Sequence, residues 1–264
     1  MPRQNRSISP NPGWMVLAAC SLFLGALPAS APSVTSIPSS TAIPVRFVRT
    51  IDVNRAHSGD PVMARTLQVV ILPNGQRLPQ GTLVVGHIVQ AIPSRSGSRM
   101  SGLTPSYLSV HFDRIKLANG DIPVALCVRA LANPIASYDA TVPYSAQEPD
   151  NSGTRTLIGG DEFSPWDGTI QDTSGGVVGV NRRDGPFARL LPAADLTSGD
   201  SHDCTGTNTE QAVATFSPEA CGIYGYGDTT MPDAGRDGSG QFTLYSKAGP
   251  VRLYAGSTAL LQQI

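Results

Sequence analysis

The sequence predicts an all-β fold: an antiparallel β-barrel or sandwich carrying a long irregular acidic loop insertion and one short helix. Three observations lead there. Glycine and proline supply 27 and 22 of the 264 residues, nearly a fifth of the chain against an ordinary combined share of about 12%, so turns are frequent and helices few. Short β-branched runs recur between turn signals, as in antiparallel sheets. Asn-Gly occurs at Asn74-Gly75 and Asn119-Gly120, and both residue types tolerate the positive φ of a two-residue hairpin turn.

Residues 1–31 read as a secretory signal peptide. Arg3 and Arg6 precede an apolar run over 14–27, and Ala29-Ser30-Ala31 offers the small side chains that signal peptidase accepts, with cleavage after Ala31. An alternative starts from Leu17-Ala18-Ala19-Cys20, the form of a bacterial lipoprotein box with Cys20 acylated, and a lipid there would be the one membrane attachment. No apolar run reaches the roughly 20 residues a spanning helix needs. The expected location is the periplasm, the outer-membrane surface or the cell exterior.

Residues 32–44 are mostly Ser, Pro, Thr and Ala, the composition of a flexible tether. Strands are expected over 45–52, 62–72, 82–92, 107–115 and 122–131, forming the barrel or sandwich of residues 45–131. In the fourth, Leu108, Val110 and Phe112 alternate with Ser109, His111 and Asp113, which sends the first set inward and the second toward water. Residues 132–205 are Gly- and Asp-rich and read as the long loop, with a weak hairpin over 169–180. Residues 206–264 supply a short helix over 209–216 and closing strands over 241–246, 251–255 and 258–262.

Export leaves three cysteines. Cys204 and Cys221 lie in polar sequence with 16 residues between them, so an oxidising compartment favours a disulfide worth about 3 kcal/mol in loop entropy. Cys127 sits in an apolar stretch and reads as a small buried hydrophobe. No two cysteines stand two to four residues apart, which removes the usual zinc spacing.

Charge is divided along the chain. Residues 46–131 hold ten Lys/Arg against four Asp, and residues 132–264 hold seven against sixteen acids. One reading is a basic β-module that meets an acidic surface, either its own later half or an anionic envelope polymer. The other is simply solvated strand faces.

Catalytic patterns are not assembled. There is no Gly-x-Ser-x-Gly, His-Glu-x-x-His, phosphate loop or dinucleotide fingerprint, so no catalytic, cofactor-binding or metal residues are assigned. His57, His87, His111 and His202 read as ordinary strand or loop histidines. The segment from Arg236 to Phe242 reads as a polar turn, because a calcium loop in that frame has Gly235 and Ser246 at its acidic ends. Arginines without interleaved aromatics argue against nucleic acid.

Gly59-Asp60, Val62 and Ala64, then Pro79, Gly81, Thr82 and Gly86, then Phe112-Asp113-Arg114-Ile115 ahead of Asn119-Gly120, form a connected set. With Ala255-Gly256-Ser257 before the last apolar strand, the chain resembles exported β-domain proteins common in Acidobacteria. More distantly it resembles the β-barrel domain of the scaffold subunit of type IV secretion and conjugation channels. The resemblance implies the barrel and structural roles: tight turns at Gly59, Gly81 and Asn119-Gly120, a strand end at Pro79, and close backbone approach at Gly86. It does not extend to the channel subunit's cytoplasmic tail, inner-membrane helix and Pro-rich spacer.

The expected function is binding or scaffolding in the cell envelope, non-catalytic, with an envelope protein or anionic envelope polymer as partner. The alternative is a secreted hydrolase or a carbohydrate-binding module using Trp166, Tyr224 and Tyr226.

Overall fold

Strands in the first third of the chain bury most of their apolar side chains, with strict alternation over 61–66, and the sheet they begin curls around that apolar core. The structure, a computed structural model, describes residues 36–95, 104–143, 153–196 and 202–264. The signal, Cys20 and Ala31 lie outside the described residues.

In chain order, β1 (Ala42–Phe47), β2 (Ile51–Asp52), β3 (Pro61–Thr66), β4 (Val70–Ile71), β5 (Arg77–Leu78), β6 (Leu83–Ile92), β7 (Ser106–Leu117), β8 (Gly120–Pro123) and β9 (Leu126–Ala132) precede the helix α1 (Pro134–Asp139). Then come β10 (Arg155–Thr156), β11 (Glu162–Ser164), β12 (Thr169–Gln171), β13 (Val177–Arg182), β14 (Gly185–Arg189), β15 (Ala193–Ala194), β16 (Asp203–Cys204) and β17 (Glu210–Ala212). The chain finishes with β18 (Gly222–Tyr224), β19 (Thr229–Ala234), β20 (Gln241–Ser246), β21 (Arg252–Leu253) and β22 (Thr258–Gln263).

The main sheet has ten strands in the order β18-β9-β22-β1-β3-β6-β7-β20-β19, with β8 paired to β7. Its last strand closes on its first, since Ala42 faces Gln262 and Arg46 faces Thr258 in the β1–β22 ladder. The sheet curls until β9 touches β19 and β20, so it is a nearly closed barrel. Phe47, Phe112, Phe242, Leu108, Val110 and Leu244 are buried in its core, and the Phe112 ring lies 6.2 Å from those of Phe47 and Phe242. The interior is filled by side chains.

Several expectations shift in place. The end of the tether belongs to the fold: β1 starts at Ala42 and not at Val45, because Ala42 N–H donates to Gln211 Oε1 at 3.0 Å and Ile43 pairs with Leu261. Ser109 is buried and not solvent-facing, its hydroxyl 2.9 Å from that of Thr243. The β7–β8 hairpin turns through Ala118-Asn119, and the positive φ falls on Gly120 alone, at 135°.

The long loop region, outside strands over most of its described residues, carries a second sheet. Within 132–205, β10 to β14 form a second antiparallel sheet that β17 completes, in the order β10-β11-β12-β13-β14-β17. Its core, including Phe163, Ile170 and Phe216, packs beside Ala130 and Leu260 of the barrel. Glycines masked these strands in the sequence, yet Gly179 is required where it stands: a Cβ there would lie 2.8 Å from Ala188 and Ile170. The short helix is α1, not 209–216. Asn133 caps it by accepting from Ala136 N–H at 2.8 Å, with Pro134 in the first turn. Residues 210–212 instead pair with β14, and Ala214 turns the chain with a φ of 49°.

Candidate functional site

At one end of the barrel, the start of α1, the β18–β19 loop and the β20–β21 loop enclose an open groove of about 500 Å³. Its walls are fixed from behind. The buried Ser106 hydroxyl donates to Gly249 O at 2.6 Å and accepts from Val251 N–H at 3.0 Å, which holds the β20–β21 loop. Asn133 Nδ2 donates to Gly225 O, holding the opposite loop. Arg252 Nε pairs with Asp52 Oδ2 at 3.0 Å. Tyr226 and Tyr254 line the groove with ring centroids 6.4 Å apart. The Tyr226 hydroxyl is 2.8 Å from Ser257 Oγ, and burial pushes its phenol above the ordinary tyrosine range. Ile135 lies 70% exposed and Tyr254 41% exposed on the rim, while Asp228 and Thr229 add polar groups. The groove thus presents two aromatic rings and an uncovered isoleucine over a hydrogen-bonded polar frame, a surface of the kind that can dock a partner.

A second constellation lies on β6 and β7. Asp113 falls at a β-bulge, since Val85 faces Arg114 while Gly86 faces Phe112. The bulge aims its carboxylate at His87, with both oxygens 3.0 Å from Nδ1, and Oδ1 lies 3.8 Å from His111 Nε2. All three side chains are partly exposed. The bulge therefore orients the His87 imidazole, and among the described residues neither imidazole hydrogen-bonds a hydroxyl.

The third constellation is buried. Arg129, fully buried, is the extra residue of a bulge in β9, because Leu260 faces Ala130 and Leu261 faces Val128. Its guanidinium donates to four loop carbonyls: Ala220 at 3.1 Å, Thr205 at 2.6 Å, Pro218 at 3.0 Å, and Leu191. Burial, then the neighbouring Arg236 cation, lowers its pKa to about 10, so it stays charged at neutral pH. Cys204 and Cys221 stand beside it at disulfide distance, 2.11 Å between sulfurs, with Arg236 Nη2 2.8 Å from Cys204 Sγ. His202 and the two sulfurs lie within 4.8 Å of one another. Sulfurs bonded to each other are not the thiolates a metal requires. The arrangement ties the carbonyls of Leu191, Thr205, Pro218 and Ala220 to the barrel.

The turn residues fall at tight places. Gly59 and Gly81 have φ of 87° and 80°, Pro79 follows directly on β5, and a Cβ on Gly86 would stand 2.1 Å from His111 O. Of the three aromatics singled out in the sequence, only Tyr226 lines the barrel-end groove. Tyr224 Oη donates to Cys221 O at 3.1 Å, and Trp166 lies 78% exposed on the turn between β11 and β12. Sequence reading missed Ile135, Arg252 and Tyr254. A helix start at Asn133-Pro134 was the available signal for the first; the other two carry none. Among the described residues no helix is long and apolar enough to cross a membrane. Compared with family models, with curated proteins and with solved structures, the chain finds no match.

Proposed function

We propose that the chain is an exported cell-envelope β-domain protein whose role is binding or scaffolding, performed at the barrel-end groove and without chemistry of its own. One observation carries this reading: the barrel core is filled, while Ile135 and Tyr254 stand uncovered on a groove with rigid walls. A large aliphatic side chain left in water beside an aromatic one is the composition of a protein-docking surface. The signal read at residues 1–31, or a lipid on Cys20, supports an envelope location for that surface. The resemblance to a secretion-channel barrel supports an assembly role.

A photo-crosslinking side chain at position 135, expressed in cells with an intact envelope, is expected to give one discrete protein adduct. The same side chain at the exposed position 166 is expected to give none. A monomeric mature protein with no adduct at position 135 overturns the reading. The carbohydrate-binding alternative draws on the Tyr226–Tyr254 pair. Glycan binding lost in Tyr254→Ala, without any protein adduct, would put that alternative first, and turnover of an ester or peptide would put the hydrolase first.

A further inference from the structure

The second sheet meets the barrel along a seam, and the seam holds a different groove, of about 410 Å³. Arg46 of β1, Arg155 of β10 and Arg183 of the β13–β14 turn line it together. They come from both halves of the chain, and only the packing of one sheet on the other unites them.

What sets them apart is that all three line one groove, since Arg49, Arg55, Arg65, Arg95 and Arg189 also lack a carboxylate partner among the described residues. Arg77, Arg114, Arg182 and Arg252 each pair with a carboxylate: Asp184, Asp121, Glu210 and Asp52. Among the described residues Arg46, Arg155 and Arg183 have no such partner. The one acid lining the groove, Asp184, is already held by Arg77. Arg46 also lies directly opposite Arg65 across the β1–β3 ladder, and like charges in facing positions destabilise a sheet. Arg155 is held in place, its guanidinium 4.3 Å from the centre of the Phe163 ring, and burial pushes its pKa down. Thr215 also lines the groove; its Oγ1 is buried and, among the described residues, has no hydrogen-bond partner. A buried hydroxyl without a partner is costly and uncommon.

We propose that this seam groove is a binding site for an anionic group of the phosphate type, gripped by Arg46, Arg155 and Arg183. Guanidinium forks match tetrahedral oxyanions through paired charge-assisted hydrogen bonds, and the anion would cancel the repulsion that three unpaired cations and the Arg46–Arg65 pair create. The site is separate from the barrel-end groove, and it adds an anionic ligand to the surface-binding role proposed above. A free ion and a phosphate borne on an envelope polymer share this chemistry.

Titration calorimetry of the mature protein at low salt, with inorganic phosphate and with polyphosphate, tests the site. Saturable binding that Arg183→Gln weakens by about tenfold or more is expected. Arg183 is exposed, so that variant folds even if Arg155→Gln does not, and Arg114→Gln, whose partner is Asp121, should bind as wild type does. Tighter binding of polyphosphate than of inorganic phosphate assigns the anion to a polymer; equal affinity assigns it to a free ion. Saturation by neither probe, or unchanged affinity in Arg183→Gln, overturns the site. Ile135→Asp tests the barrel-end reading independently, because it should abolish docking there and leave phosphate binding intact.

Discussion

Gln68 fastens the barrel to the second sheet through Pro186, donating from Nε2 to the Pro186 carbonyl at 3.0 Å while its Oε1 accepts from Ala214 N–H at 2.8 Å. The side chain is 5% exposed. It serves β14 and the turn after β17 at once, and it lines the seam groove.

Replacing Gln68 by leucine keeps the volume and strands the Ala214 amide, while the Pro186 carbonyl still accepts from Val213 N–H at 3.2 Å. A buried group left without a partner costs about 1–3 kcal/mol, so the urea midpoint of Gln68→Leu is expected to fall by an amount equivalent to about 1–3 kcal/mol. Hydrogen exchange should show the Ala214 amide losing its protection. A midpoint within error of wild type would mean that the two sheets hold together without this contact.

How much of this was written in the sequence can be judged residue by residue. The strand over 241–246 appears with those bounds because Gly240 precedes it and Lys247-Ala248-Gly249-Pro250 ends it. Closure of the barrel by the final strand was also foreseeable, from the Gly256-Ser257 turn and the apolar run after it. The second sheet was hidden because its strands are short and glycine-punctuated, with Gly179 in a strand interior for lack of room. Bulges were invisible too: Asp113 and Arg129 break register only relative to a partner strand. Neither groove was legible, since residues 46, 155 and 183, or 135 and 254, carry no spacing that links them before the chain folds.

Gly86 is predicted to accept no side chain. An alanine Cβ would stand 2.1 Å from His111 O and 2.8 Å from Phe112 Cα, both backbone atoms of the paired strand, so β6 and β7 would have to part. The same bulge aims Asp113 at His87. Gly86→Ala is therefore expected to lower the melting temperature by well over the 4 °C typical of about 1 kcal/mol in a domain below this size. Loss of the His87–Asp113 contact should appear as a moved His87 imidazole signal in NMR. A variant with the wild-type melting temperature would show that the sheet can open here at no cost.

Arg129 separates charge from geometry. Arg129→Met removes the guanidinium donors from the Leu191, Thr205 and Ala220 carbonyls, while the Pro218 carbonyl still accepts from Leu191 N–H, at an expected cost of about 3 kcal/mol or more. Arg129→Lys retains the charge but lacks the planar fork that reaches several carbonyls together. It is expected to recover less than half of the loss. Chemical denaturation of the three proteins, with Cys204 and Cys221 left oxidised, decides it. Full rescue by lysine would show that a point charge suffices.

Asp161 makes stability depend on pH in an unusual direction. It is 2% exposed, and burial, with Glu219 and Asp172 adding repulsion, raises its pKa to about 6. In the unfolded chain the carboxyl has its ordinary pKa of about 3.9. Between those values the folded state holds more protons than the unfolded state, so this group's contribution to stability is greatest below pH 4 and declines as pH rises to about 6. At neutral pH the ionised, buried carboxylate costs roughly 2–3 kcal/mol. Asp161→Asn keeps the shape and the bond from the backbone N–H of residue 161 to Ser217 Oγ, 3.0 Å in the native protein. The variant should be more stable than wild type at pH 7, with the difference shrinking toward zero by pH 4. Urea unfolding of both proteins across that range measures the difference directly, and a gap that does not change with pH would place the ionisation elsewhere.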